Sequence, residues 1–169
     1  MISEKAKHYA EKCHNETNQQ YDKQPYFIHL QMVVDAAWRF IYLIPEQYRD
    51  DVIAGCWVHD CIEDCRQTYN DVQNATNKMV AEYAYALTNE KGKTRLERAN
   101  DKYYEGIRNL PYATFIKLCD RIANMEYSKT HKGNMFKKYT AEYPHFESML
   151  YDIQYKDMFD YLKSMLTND

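Results

Sequence analysis

Apolar residues recur at three- and four-residue steps along nearly the whole chain, and no stretch alternates convincingly enough to predict a strand. Ile2, Ala6, Tyr9, Ala10 and Cys13 share one face and predict a first helix from Ile2 to about Asn15. A polar loop, NETNQQYDKQP, follows. Pro25 opens a second helix whose apolar stripe runs through Ile28, Met32, Val33, Ala36, Ala37, Phe40, Leu43 and Ile44, until Pro45 ends it. A third, DDVIAGCWVHDC, is expected to begin near Asp50, which would cap it while Asp51 favours its positive end. Thr68 and Asp71 form a capping box with Asp in place of Glu, and the helical pattern continues to about Leu87 with a break at NATN. NEKGKT reads as a loop, and a charged helix is expected from about Arg95 to Arg108. Pro111 precedes another helix, YATFIKLCDRIANMEYS. Gly133 marks a turn, and the tail from about Tyr143 to Met165 is amphipathic. Without repeats, low-complexity segments or linkers, the pattern predicts a single all-α domain over residues 1–169, its C-terminal helical part covering 128–169.

Composition narrows the function classes. A chain of 169 residues can bury a core without disulfides or oligomerisation. Its net charge of −3 gives no bulk basic signal for nucleic acid. No apolar run approaches the roughly 20 residues of a membrane span. MISEKAKHYAEK carries charges where a secretory leader needs an apolar region, so the expected location is the cytoplasm. The five cysteines are odd in number and include no CxxC pair, against a disulfide framework or zinc ribbon. Cys61 and Cys65, four apart near His59, leave a structural zinc site open beside the plainer reading of small buried thiols. The 17 tyrosines suit the boundary between core and water.

The stretch WVHDCIEDC concentrates chemistry. His59 and Asp60 follow the apolar run VIAGCWV, and a carboxylate at the edge of a core is costly unless paired or bound to metal. Neighbours on a helix point about 100° apart, so both reach one ion only where the helix face turns toward a common centre. His29 on YFIHLQMVV and Asp120 in FIKLCDRIAN each lie on another apolar helix. Singly, each reads as a satisfied core residue, Asp120 pairing with Arg121 or a capping amide. Together they bring two imidazoles and two carboxylates from three helices, a set suited to manganese above all, with iron or zinc as alternatives. Glu63 and Asp64 follow one turn later. Alone they read as a solvated helix end; beside a metal they stand where a hydrolase needs a carboxylate to take a proton from water or orient it.

In order along the chain, PYFIHLQMVV, WVHDCIEDC, LTNEKGKTRLER and FIKLCDRIANM resemble the HD superfamily of metal-dependent phosphohydrolases. Within it they are most similar to the hydrolase domains of RelA/SpoT-type proteins and their small stand-alone relatives. The resemblance runs from about residue 6 to 127, and its HDxxED and KLxDRxxN patterns are specific. It implies a helical bundle around a central metal. It also implies manganese-dependent removal of the 3′-pyrophosphate from (p)ppGpp, a small nucleotide. His29, His59, Asp60 and Asp120 would bind the ion, Glu63 and Asp64 would activate and position water, and Asn124 would face the ribose. Basic side chains must then hold phosphates, and Lys91, Lys93, Arg95 and Arg98 are the obvious local concentration. The cations of HKGNMFKKY are a further candidate group.

Three departures bear on this. Gln20 and Tyr21 stand where the family usually has an Arg-Lys pair, and Lys23 lies two residues before Pro25 in a loop that looks shorter. Tyr21 could stack on a base in their stead, or the substrate could differ. Leu30 replaces the proline after the metal histidine. The span from His29 to His59 is longer, around IPEQYRDD. No synthetase domain accompanies these motifs, so one-way hydrolysis is expected. The alternatives are an HD phosphohydrolase acting on a deoxynucleotide or NADPH, and a nucleotide sensor without catalysis.

Overall fold

The computed structural model describes residues 1–131 and 133–167. It is all-α apart from one small hairpin. The helices are α1 (Ile2–Glu16), α2 (Phe27–Phe40), α3 (Arg49–Val58), α4 (Cys61–Asp64), α5 (Tyr69–Ala75), α6 (Lys78–Ala86), α7 (Arg95–Arg98), α8 (Asp101–Asn109), α9 (Ala113–Thr130), α10 (Asn134–Leu150) and α11 (Lys156–Thr167). No helix among the described residues is long and apolar enough to cross a membrane.

Helix α3 lies at the centre because its sequence leaves it no wet face. Every residue from Val52 to Val58 is buried, and a helix apolar all round needs neighbours on all sides. It packs on α1, α2, α6 and α9. Gly55 sets the closeness of that packing: a Cβ there would meet Ile116 Cδ1 at 2.6 Å and Tyr83 Cδ2 at 2.9 Å. Helix α9 is the second buried axis, lined by Phe115, Ile116, Leu118, Ile122 and Met125, and it packs on α2, α10 and α11.

Several local features differ from the sequence expectations, beginning with α2, which ends at Phe40 and passes into a 3₁₀ turn over Ile41–Leu43 instead of running on to Pro45. The polar loop after α1 folds into a hairpin, Gln20–Tyr21 paired antiparallel with Gln24–Pro25. Its two turn residues have positive φ, 49° at Asp22 and 65° at Lys23, the geometry that matches strand twist in a two-residue turn. Two-residue strands are too short for alternation to reveal them. Asp50 does not cap α3. It accepts from the amides of Ile2, at 2.7 Å, and Ser3, at 3.2 Å, and from the Ser3 hydroxyl, so it caps α1 from a distant part of the chain. The charged segment expected as one helix is split, because Asn100 accepts from the Tyr103 amide and starts α8 afresh. Lastly, α3 stops at Val58, and His59 and Asp60 form the corner into α4. The capping box of Thr68 and Asp71 is present, with both reciprocal bonds.

Candidate metal centre

Three helices deliver the site. His29 comes from the first turn of α2, His59 from the end of α3 and Asp120 from the middle of α9, and all three are buried. One nitrogen or oxygen from each lies within 4.8 Å of the others, forming a set able to hold an ion. Asp120 Oδ1 is 3.2 Å from His29 Nε2 and 3.7 Å from His59 Nε2. The corner at residues 59–60 explains how adjacent residues share this centre. Leaving the helix brings Asp60 Oδ2 to 2.9 Å from His59 Nε2 and 3.7 Å from His29 Nε2. Asp60 thus flanks the three-residue set.

The chemistry of these groups fits a divalent cation. His59 Nδ1 is 2.8 Å from the Cys56 carbonyl, so that nitrogen donates there and leaves Nε2 facing the centre, to take up a proton or an ion. His59 Nε2 is buried and has no aligned hydrogen-bond partner. Burial pushes the His59 imidazole down, but Asp60 and Asp120 overrule it and hold it well above its ordinary pKa. The field at this point therefore favours positive charge. Burial likewise pushes Asp120 up, yet Lys117 and the two histidines hold its carboxyl well below the usual range. Two imidazoles with one or two carboxylates suit manganese, iron or zinc.

Supporting groups fix these side chains. Lys117 Nζ donates to Asp120 Oδ2 at 2.8 Å and Asn124 Nδ2 to Asp120 Oδ1 at 2.7 Å. The expected partner Arg121 is the next residue of α9, points elsewhere, and lies instead over the Phe146 ring at 4.3 Å. Tyr26 donates to Asp60 Oδ2 at 2.6 Å. Lys117 and Tyr26 were unassigned by sequence reasoning. The available signal was spacing, since Lys117 precedes Asp120 by one turn and Tyr26 precedes His29 by the same interval.

The centre opens into a cavity of about 520 Å³. Glu63 and Asp64 both line it. Glu63 accepts from the Asn89 amide at 3.1 Å and side chain at 2.9 Å, which ties α4 to the loop before α7. Burial, with Asp60 and Glu63 nearby, pushes the Asp64 carboxyl up to about 7. Arg95, Arg98, Lys117 and Arg121 also line the cavity. Arg95 forks onto Glu142 at 2.7 and 3.1 Å, and Arg121 reaches the same carboxylate at 3.3 Å. Arg98 has no ion pair among the described residues.

Other predicted site residues fall elsewhere. Lys23 is exposed at the hairpin tip, and Lys91 and Lys93 are exposed in the loop before α7; none lines the cavity. Tyr21 packs beside the metal set, its ring against His29 and its hydroxyl on Asn124. Asn124 does line the cavity. Within HKGNMFKKY, Tyr139 lines it whereas Lys137 and Lys138 are exposed, and Lys132 lies outside the described residues. Cys61 and Cys65 are buried and free, and no cysteine belongs to a metal-competent set among the described residues.

Comparison with known proteins gives the same centre a family context. No curated protein matches the chain. The family model described as HD domain matches residues 6–145, a span that holds every residue of the metal set and both acidic residues after it. That family generally comprises metal-dependent hydrolases, and its match together with the His29, His59 and Asp120 cluster points to a metal-dependent phosphohydrolase. The match covers most of the chain, which therefore belongs to the HD-domain family.

Proposed function

We propose that the chain is a manganese-dependent guanosine 3′,5′-bis(diphosphate) 3′-pyrophosphohydrolase acting on (p)ppGpp in the cytoplasm. One observation carries the reading: His29 and Asp120 of the metal-competent set line a single nucleotide-sized cavity together with the Glu63–Asp64 pair and several cations. The sequence resemblance to RelA/SpoT-type hydrolase domains supplies the substrate. His29, His59 and Asp120, with Asp60 beside them, would hold the ion. Bound there, it supplies a Lewis acid that lowers the pKa of water and draws negative charge off phosphorus.

The chain's own residues do the rest. Asp64, near neutrality, accepts the proton of the attacking water at a carboxylate oxygen. Glu63, clamped by Asn89, orients that water. Arg98 and Lys117 face the phosphates, while Arg95 is held against Glu142 at the rim. The net charge of −3 gives no bulk basic signal for nucleic acid, in keeping with a small nucleotide as substrate.

A specific observation favours a second reading within the same chemistry. The Tyr21 ring is engaged with His29 and Lys23 is remote from the cavity, so neither is available to a guanine. The substrate would then be another phosphorylated nucleotide, a deoxynucleotide or NADPH. A sensor without catalysis has no need of Glu63 and Asp64. Pyrophosphate release from ppGpp, measured with manganese and with chelator, decides among these. Manganese-dependent release supports the alarmone reading; metal binding without release, together with phosphate release from a deoxynucleotide or NADPH, supports the second.

A further inference from the structure

The two metal-set histidines are held in different ways. His59 uses the usual device, giving its second nitrogen to the Cys56 carbonyl at 2.8 Å. His29 does not: its Nδ1 is buried and has no hydrogen-bond partner. Its ring lies instead flat against Tyr21, with centroids 4.8 Å apart and planes 13° from parallel. Tyr26 closes edge-on at 5.3 Å. Stacking here does what the missing hydrogen bond would do, which is to fix the rotation of the imidazole.

The other end of Tyr21 reaches a second member of the set. Its hydroxyl donates to Asn124 Oδ1 at 2.8 Å, and Asn124 Nδ2 donates to Asp120 Oδ1 at 2.7 Å. Asp120 Oδ1 is the oxygen that faces both histidines. One side chain therefore governs His29 through its ring and Asp120 through a two-bond relay. The hairpin is stiff enough to serve: its turn is two residues long, Tyr127 donates to Asp22 at 2.6 Å, and the Tyr26 amide closes on the Gln19 carbonyl at 3.2 Å.

We propose that Tyr21 is a positioning residue of the metal centre, with Asn124 as its relay, and that the hairpin preorganises the ion's ligands instead of reading the nucleotide base. The inference rests on the metal-site reading and is independent of which nucleotide is cleaved.

Calorimetric titration of purified protein with manganese chloride tests it. Absence of binding by the unaltered protein would overturn the metal-site reading itself, whatever Tyr21 does. Given binding, Tyr21→Phe keeps the stack and cuts the relay, and its affinity should fall about tenfold. Tyr21→Leu removes both contacts and should approach a hundredfold loss. Asn124→Leu should match Tyr21→Phe, and the double variant should be no worse than either, because both cut one relay. Melting temperature in chelator, expected unchanged for the near-isosteric Tyr21→Phe, separates positioning from loss of fold. Manganese affinity within twofold of the parent in Tyr21→Phe and Tyr21→Leu, with a raised KM for nucleotide, would overturn the proposal and make Tyr21 a substrate contact.

Discussion

On the wall of the cavity, His29 and Asp120 are buried side chains on helices of the core, with His59 buried beside them. On the rim, Arg95 and Leu96 are exposed on a single turn of helix, with Arg98 half-buried beside them. The wall is fixed by packing: α3 is enclosed and α9 carries its apolar residues against α2, so the ligands move only if the core does. The rim is fixed by polar ties, the capping box of Thr94 and Glu97, the fork of Arg95 on Glu142, and Asn89 on Glu63. Such exposed ties are individually weak. On the proposed reading, the metal ligands lie in the part of the molecule that cannot adjust, and Arg98 in the part that can.

The comparison is broken most forcefully at its boundary. Asp64→Asn should lower hydrolysis by about 10²- to 10⁴-fold with the melting temperature unchanged. Full activity in steady-state assays would remove Asp64 from the role given to it. Lys117→Met tests the wall. It frees Asp120 Oδ2 from its 2.8 Å contact and should weaken manganese binding about 10- to 100-fold in calorimetry. Gly55→Ala tests the rigidity behind the wall. The added methyl meets Ile116 and Tyr83 and should cost about 1–3 kcal/mol in urea unfolding. Arg98→Ala tests the rim, with KM rising about tenfold and kcat nearly constant. A larger change in kcat would mean that the rim takes part in the chemistry.

The smallest effect belongs to Asp50. Burial pushes its carboxyl up, but the Ser3 hydroxyl and the Ile2 and Ser3 amides outweigh that and hold it below its ordinary pKa. A depressed folded-state pKa contributes stability above the unfolded value of about 3.9, and that stability drains as pH falls through the folded value. Unfolding midpoints of the parent and Asp50→Asn should therefore differ at pH 7 and converge in acid.

Most of the wall was legible in the chain because helices translate spacing into direction. The apolar stripe of α2, the run before His59 and the pattern around Asp120 announce buried helices, and a titratable residue on each stands out against its apolar neighbours. What stayed hidden was set by contacts between distant residues. That Asp50 serves α1, that Asn100 splits the charged segment and that Tyr21 packs on His29 depend on which segments meet. The rim misled for a related reason. Lys91, Lys93, Arg95 and Arg98 look equivalent in sequence, but the turn of α7 aims Arg95 and Arg98 inward and leaves the two lysines in water.

The corner at His59 and Asp60 also determines which changes of length the chain can accept. From Val58 to Asp64 the backbone passes from one helix through the corner into the next, and one added or lost residue would turn α4 by about 100°. Glu63 and Asp64 would then rotate away from the cavity even with every side chain retained. The loop between α6 and α7 is held instead by separate contacts, Asn89 on Glu63, the Glu90 amide on the Arg98 carbonyl and the Lys93 amide on Glu97. Insertions and deletions should accumulate between those anchor points, and at the corner Val58, Cys61 and Ile62 should vary in type long before the seven residues vary in number.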